Sequence, residues 1–181
     1  FRYKSQKGIP LSACIKIPTG GGKTFVGVNA TKLILDKLPS DGINAVVWLV
    51  PSDTILKQTL EAFRNPLHPY RIKLSQLFGS VNVLSKEQLL QGVGFNRSTV
   101  TEALTLMVLS YDSFRGKKNE LKSKRENSQL LDMSMMPSSK ETKVEDADPT
   151  SLLQVINKLN PVVVVDESHH AKTSLSMDML R

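Results

Sequence analysis

The sequence predicts an α/β fold in which a parallel β-sheet is flanked by helices. Three short runs carry almost only apolar residues: Ala45–Val50, residues 104–109 and Val162–Val165. Runs that are apolar throughout, rather than alternating with polar residues, are typical of strands covered on both faces, as in parallel sheets. Segments with helical spacing follow or precede these runs. The alternation of strand and helix along the chain is the pattern of a parallel α/β domain.

Length, composition and charge leave several functional classes open. The 181 residues fit one domain or a piece cut out of a longer protein, since the sequence does not start with Met. A single cysteine argues against a disulfide framework and most zinc modules, so we expect a reducing, cytoplasmic location. No apolar stretch approaches the roughly 20 residues of a membrane span. The net charge of +7 fits either a nucleic-acid partner or a surface that is simply basic.

Turn residues and apolar spacing divide the chain into elements. In chain order these are a strand over residues 11–17, a helix over 24–38, the strand Ala45–Val50, a helix after it, a loop over 65–70, the strand Val81–Leu84, the helix Lys86–Gln91, a strand over 104–109, a helix over 151–159 and the strand Val162–Val165. In the first strand we expect Cys14 to be a small core residue. Asp53 is expected to cap the helix that follows Pro51.

Residues 116–149 interrupt this pattern. The segment is rich in Lys, Glu, Ser and Met and has few β-branched residues. Such a composition is typical of segments that bury little apolar surface. We therefore expect a mobile surface insertion within the domain, whose mixed charges form a solvated face.

A glycine-rich turn that ends in Lys-Thr carries the first functional signal. It reads Pro-Thr-Gly-Gly-Gly-Lys-Thr over residues 18–24 and lies between a predicted strand and a predicted helix. Glycines permit a tight turn whose backbone N–H groups approach a polyphosphate, and the helix start adds its positive dipole end. Lys23 is expected to reach the β- and γ-phosphates of ATP, and the Thr24 hydroxyl to coordinate Mg²⁺. The full predicted nucleotide-binding set is Thr19, Gly20, Gly21, Gly22, Lys23 and Thr24.

Two adjacent carboxylates follow the last apolar strand. Asp166 and Glu167 come directly after Val162–Val165. Phosphoryl transfer needs mainly a metal clamp, a lysine and a group that positions water. We expect Asp166 to hold Mg²⁺ through water and Glu167 to orient and deprotonate the attacking water. His169 is expected to couple this site to motion elsewhere rather than to ligate a metal.

These strings resemble the first RecA-like domain of superfamily 2 helicases and translocases. Residues 19–24 are similar to motif I, and Asp-Glu-Ser-His at 166–169 to a DEAH-type motif II. Residues 48–54 resemble motif Ia and residues 108–114 the strand-end motif Ic. The string Asp-Glu-Ser-His-His-Ala-Lys, with Leu-Asn-Pro before the valines, is similar to the restriction-subunit (ResIII) branch. That branch includes the ATP-driven subunits of type III and type I restriction enzymes.

The resemblance is strong in motifs I and II and covers the chain apart from residues 116–149. Its first motif I position is Ile17, where the general P-loop pattern has Gly, but this position varies within the superfamily. The resemblance implies a P-loop NTPase fold in which residues 1–181 are a partial RecA-like ATPase domain that stops after motif II. A piece without motif III and the second RecA-like domain, which carries the arginine finger, is expected to bind ATP weakly and hydrolyse it poorly.

The function implied by the resemblance is ATP hydrolysis coupled to movement along nucleic acid. Duplex DNA is the expected track, with RNA left open, and the expected partners are the second RecA-like domain of the same polypeptide and modification or specificity subunits. Residues of motifs Ia and Ic would then touch the phosphate backbone without reading sequence: Pro51, Ser52, Ser110 and Tyr111. The alternative for Pro51 and Ser52 is a plain strand-to-helix turn.

Three functions stay open at this point. The first is the ATP-driven motor of a restriction enzyme, and the second a stand-alone DNA or RNA helicase of repair or defence type. The third is a regulatory module that binds ATP without translocating. Glu167 argues against the third, because a switch without turnover has no need of a catalytic base. A GTPase is disfavoured because the guanine-specifying Asn-Lys-x-Asp string is absent from the sequence.

Overall fold

The structure, a computed structural model, describes residues 2–6, 9–18, 20–37, 42–114, 120–124, 126–137 and 143–167. Its strands are β1 (Arg2–Gln6), β2 (Ile9–Cys14), β3 (Ala45–Val50), β4 (Val81–Leu84), β5 (Leu104–Ser110) and β6 (Val162–Val165). Its α-helices are α1 (Lys23–Leu35), α2 (Asp53–Arg64), α3 (Pro69–Phe78), α4 (Lys86–Gln91), α5 (Arg97–Glu102), α6 (Ser128–Ser134) and α7 (Leu152–Lys158). A single 3₁₀ turn, Tyr111–Phe114, follows β5.

The centre of the domain is a parallel sheet with strand order β4-β5-β3-β6. All three pairings between neighbours are parallel. Every residue of β3 and β5 is buried, while the four valines of β6 are half-buried. The predicted parallel α/β class, and the three apolar strands on which the prediction rested, are confirmed.

Side chains of β3 alternate between two apolar cores, one on each face of the sheet. Val46, Trp48 and Val50 pack on one face with residues of α1, α2 and α3. Ala45, Val47 and Leu49 pack on the other face with residues of α4 to α7. Because successive strand residues point to opposite faces, a strand sandwiched between helices is apolar at nearly every position.

The cap of α2 and the predicted loop over residues 65–70 differ from the prediction. Ser52, not Asp53, caps α2, since its hydroxyl accepts from the Ile55 N–H at 3.4 Å. Asp53 is the first helical residue. The predicted loop over residues 65–70 runs into α3, which starts at Pro69 with the His68 side chain as its cap. Proline is favoured at the first helical position, where its missing N–H costs nothing, so Pro69 marked a helix start rather than a loop.

The N-terminal strand also differs from the prediction. β2 ends at Cys14, three residues before the predicted end, and pairs with β1 in a separate antiparallel hairpin in which Arg2 lies opposite Cys14. Cys14 is exposed, so the prediction that it is a core residue is wrong. The predicted helix over residues 24–38 is confirmed as α1, which starts one residue earlier. It ends at Leu35, three residues before the predicted end at Leu38.

Described parts of residues 116–149 belong to the core. Leu121, Leu130 and Met133 are each at most 1% exposed and pack in the cluster beneath α7. Lys122 ties two parts of the segment together: its ammonium donates to the Glu145 carbonyl at 2.8 Å, and its carbonyl accepts from the Asp148 N–H at 3.0 Å. The expectation of a purely surface segment is therefore wrong for these residues. Composition does not reveal them, because only a few apolar positions, within α6 and before it, pack in the core.

No α-helix in the described ranges is long and apolar enough to cross a membrane.

Adjacent leucines in α6 provide a matched test of this packing. Leu130 is fully buried and Leu131 is 43% exposed. We expect Leu130→Ala to lower the free energy of unfolding by about 2–5 kcal/mol, since it leaves a cavity in the core. Leu131→Ala is expected to change it by no more than about 0.5 kcal/mol. Denaturant unfolding measures both, and equal small effects would contradict the core position of α6.

Candidate functional site

Parallel pairing brings the carboxyl ends of three strands to one edge of the sheet. Val50 of β3 lies opposite Ser110 of β5, and Leu49 lies opposite Val165 of β6. The first residue after β6 continues the ladder, because the Asp166 N–H donates to the Leu49 carbonyl at 2.9 Å. In open α/β sheets ligands bind at this edge.

The glycine-rich turn has a backbone that other residues do not readily adopt. Gly20 and Gly22 have φ values of 78° and 75°, in the left-handed region that favours glycine. A Cβ on Gly21 would lie 2.6 Å from Ile17 Cγ2 and 2.9 Å from the Pro18 carbonyl oxygen. The turn is thus a tight cradle of small residues, and Gly22 leads directly into α1. Thr19, also predicted to bind nucleotide, lies outside the described residues.

An ion pair joins this turn to the end of β6. The Lys23 ammonium donates to the Glu167 carboxylate, although the two residues are 144 positions apart in the chain. The side chains are 33% and 35% exposed, so the pair lies in a partly closed position. The hydrogen bond to Glu167, with the charges of Glu167 and Asp166, raises the pKa of Lys23 and keeps it protonated. The two sequence signals therefore meet in one site.

Asp166, beside Glu167 at the end of β6, is half-buried. Burial is the main cause that raises the pKa of the Asp166 carboxyl above its usual value of 3.8, and the negative charge of Glu167 adds to it. Glu167 itself has a φ of 51°, which is unusual for a residue with a side chain. A partly buried carboxylate beside a second carboxylate is a place where a cation is favourable.

The Tyr111 hydroxyl lies at the same edge and donates to the Asp166 backbone carbonyl at 2.5 Å. Burial, followed by the charges of Asp166 and Glu167, raises the pKa of Tyr111 to about 12. The hydroxyl is therefore protonated at neutral pH and remains a hydrogen-bond donor.

Two of the four residues predicted to touch nucleic acid are buried in the protein. Ser110 and Tyr111 are buried, at 1% and 4% exposure, and both hydroxyls have partners inside the protein. This burial counts against a direct phosphate contact by either side chain. Pro51 and Ser52 are half-buried, and Ser52 serves as the cap of α2. His169 lies outside the described residues.

Asp53 links two elements at this edge, a role that the sequence did not predict. The Asp53 carboxylate accepts a hydrogen bond from the Ser110 hydroxyl at 2.7 Å, and Ser110 also lies 3.3 Å from the Ser113 hydroxyl. These contacts tie the start of α2 to the end of β5. The sequence offered only a weak signal, since an acidic residue in a first helical turn is common for dipole reasons alone.

The comparison with protein families agrees with this geometry. The family described as "Type III restriction enzyme, res subunit" matches residues 4–180. The chain belongs to this family. It is therefore a helicase-like ATPase domain of the RecA-like, superfamily 2 kind, which confirms the resemblance noted in the sequence. No curated protein and no solved structure matches the chain.

The raised pKa of Asp166 predicts a pH-dependent effect on stability. The folded state binds the Asp166 proton more tightly than the unfolded state, so this group lowers the free energy of unfolding as pH rises above 3.8 towards the raised folded value. Above both values the charged carboxylate is a cost. We expect Asp166→Asn to raise the melting temperature by a few degrees at pH 8 and to lose that advantage as the pH falls to 4.

Thermal unfolding at both pH values checks this expectation. Glu61→Gln removes an exposed carboxylate of α2 and is the matched control, for which we expect no comparable gain at pH 8. Destabilisation by Asp166→Asn at pH 8 would show that the carboxylate is favourably paired in the folded protein, contrary to its raised pKa.

Proposed function

We propose that this chain is the ATP-hydrolysing motor domain of a DNA helicase or translocase, of the kind found in the restriction subunit of a type III or type I-like restriction enzyme. The observation that carries the proposal is the contact between Lys23 and Glu167. It joins the glycine-rich turn to the Asp-Glu pair, which are far apart in sequence, and so supports a site that combines a lysine, a metal-binding carboxylate and a water-positioning group. Membership of the res-subunit family supports the same activity.

The cradle can bind the phosphates of ATP through backbone and charge. Gly20 to Gly22 lie at the start of α1, where the helix dipole favours anions. The Gly21 N–H already donates to the Pro18 carbonyl at 3.0 Å, which holds the turn in its tight shape. The Lys23 ammonium is the cation nearest to this turn along the chain. A γ-phosphate bound there competes with the Glu167 carboxylate for Lys23, and this exchange releases the carboxylate for a second role.

Thr24 and Asp166 supply oxygen atoms of the kind that Mg²⁺ prefers, one in the helix that follows the glycine-rich turn and one after β6. Thr24 is half-buried in the first turn of α1, and the Asp166 carboxyl follows β6. Mg²⁺ is usually held by one or two protein oxygens together with substrate phosphates and water, which this pair of residues fits. When bound, the ion supplies neutralisation of the charge that develops on the phosphate oxygens.

Glu167 is the candidate general base. Its carboxylate contacts the Lys23 ammonium, the group proposed to bind the γ-phosphate, which would place it near the water that attacks that phosphate. Glu167 accepts a proton from that water. The water oxygen attacks the γ-phosphorus, and the bond between this phosphorus and the β-phosphate oxygen breaks. A second RecA-like domain would supply an arginine to stabilise the transition state.

Support for a nucleic-acid track is weaker and comes from charge and from family. The net charge of +7 favours a polyanion, and Pro51 and Ser52 lie at the ligand edge where they can meet a phosphate backbone. Duplex DNA is the track we propose, with modification or specificity subunits as partners.

Replacing the base tests the proposed activity directly. We expect Glu167→Gln to lower the ATPase rate of the full-length protein by at least about 100-fold, since a positioned base contributes about 10²- to 10⁴-fold. ATP affinity is expected to stay the same or to increase, because the competing carboxylate for Lys23 is lost. Glu61→Gln, on the exposed face of α2, is the matched control and is expected to leave the rate unchanged.

The track is tested by adding duplex DNA, single-stranded DNA or RNA to the same assay. Stimulation of ATP hydrolysis by duplex DNA, abolished by Glu167→Gln, is the result expected of a DNA motor. Stimulation by RNA alone would point to an RNA helicase. ATP binding without turnover under any of these conditions would contradict the motor and favour a regulatory switch.

A further inference from the structure

We propose that Tyr111 is a positioning residue that holds the Asp166–Glu167 peptide in its catalytic geometry, an inference that rests on the function proposed above. The observation behind it is the 2.5 Å hydrogen bond from the Tyr111 hydroxyl to the Asp166 backbone carbonyl. That carbonyl belongs to the same peptide group as the Glu167 N–H. A hydrogen bond to it therefore restrains the plane from which the Glu167 side chain departs.

Glu167 needs such a restraint. Its φ of 51° lies in the left-handed region, which residues with a side chain adopt at an energetic cost. In this conformation its carboxylate reaches Lys23. Without a fixed peptide plane, rotation about the Asp166 and Glu167 backbone would move the carboxylate away from the cradle.

The hydrogen bond from Tyr111 to Asp166 joins the ends of two strands that are not direct neighbours in the sheet. The sheet order places β3 between β5, which precedes Tyr111, and β6, which precedes Asp166. The backbone bond from Asp166 to Leu49 ties the end of β6 to its direct neighbour. The Tyr111 hydroxyl adds a second hydrogen bond to Asp166, donated from the end of β5 on the far side of β3.

Tyr111 is itself held in place from both directions. Its ring is 4% exposed and packs in the core cluster that contains Leu49 and Leu109. The preceding residue, Ser110, donates to the Asp53 carboxylate at 2.7 Å and so fixes the end of β5 to the start of α2. A donor on a rigid support can hold a catalytic group within the narrow tolerance that positioning demands.

This arrangement gives Tyr111 an internal role in place of the nucleic-acid contact predicted from sequence. Its hydroxyl faces the Asp166 carbonyl and its ring is buried. The residue acts on the reaction through Glu167, and it does not touch the substrate. Its removal should therefore affect turnover more than binding.

Tyr111→Phe in the full-length protein tests the proposal, since it deletes the hydroxyl and keeps the ring. We expect kcat for ATP hydrolysis to fall roughly 5- to 10-fold, the usual cost of one buried hydrogen bond expressed as a rate. KM for ATP and the nucleotide Kd are expected to stay within about twofold, because the phosphate cradle is untouched. Tyr70→Phe deletes the same hydroxyl from a tyrosine whose ring packs on Phe25 and Phe63, and is expected to leave kcat unchanged.

A double variant separates positioning from a general loss of structure. If Tyr111 acts through Glu167, adding Tyr111→Phe to Glu167→Gln should lower the residual rate no further, since the group it positions is already gone. Independent, multiplicative losses in the double variant would overturn the proposal. So would a Tyr111→Phe protein that matches the wild type in kcat, or one that loses ATP affinity and thermal stability in proportion to rate.

The same assays distinguish failure of this inference from failure of the proposed function. If the wild-type protein hydrolyses ATP and the Tyr111→Phe variant is equally active, only the positioning role of Tyr111 is rejected. If the full-length wild-type protein hydrolyses no nucleotide with any nucleic acid present, both the ATPase function and the positioning role are rejected.

Discussion

The structure depends on the parallel pairing of β3 with β5 on one side and β6 on the other. Because β3 is buried on both faces, it accepts only apolar residues and leaves no room for catalytic groups within the sheet. Polar chemistry is therefore confined to the strand ends. Parallel connections place those ends at the same edge, so that Asp166, Tyr111 and Pro51 become neighbours of one site although they are widely separated in sequence.

The glycine-rich turn reaches this edge by way of α1. The hairpin of β1 and β2 forms a sheet of its own, and α1 packs on β3 through Val28 and through Gly27. A Cβ on Gly27 would lie 2.7 Å from the Trp48 ring, so the helix approaches the strand as closely as glycine permits. This close packing holds α1 against the sheet, and Lys23, the first residue of α1, contacts Glu167 at the end of β6.

The central strands and the Asp-Glu site could be predicted from the sequence because their signals are local and strong. Continuous apolar runs predicted β3, β5 and β6, and glycines before Lys-Thr predicted the cradle. The burial of Leu130 in α6 could not be predicted, since a single buried face of a short helix is hidden within a polar segment. Nor could the bond from Tyr111 to the Asp166 carbonyl, because it depends on strand order, which composition and spacing do not reveal.

The central claim is that Lys23 and Glu167 belong to one phosphate-binding site and face the same bound phosphate. A crystal structure of the full-length protein with Mg²⁺ and a non-hydrolysable ATP analogue tests it most directly. We predict that the phosphates lie on Gly20 to Gly22, that the Lys23 ammonium contacts the terminal phosphate, and that the Glu167 carboxylate faces that phosphate across a water. An analogue bound elsewhere, with the Lys23–Glu167 ion pair intact, would contradict it.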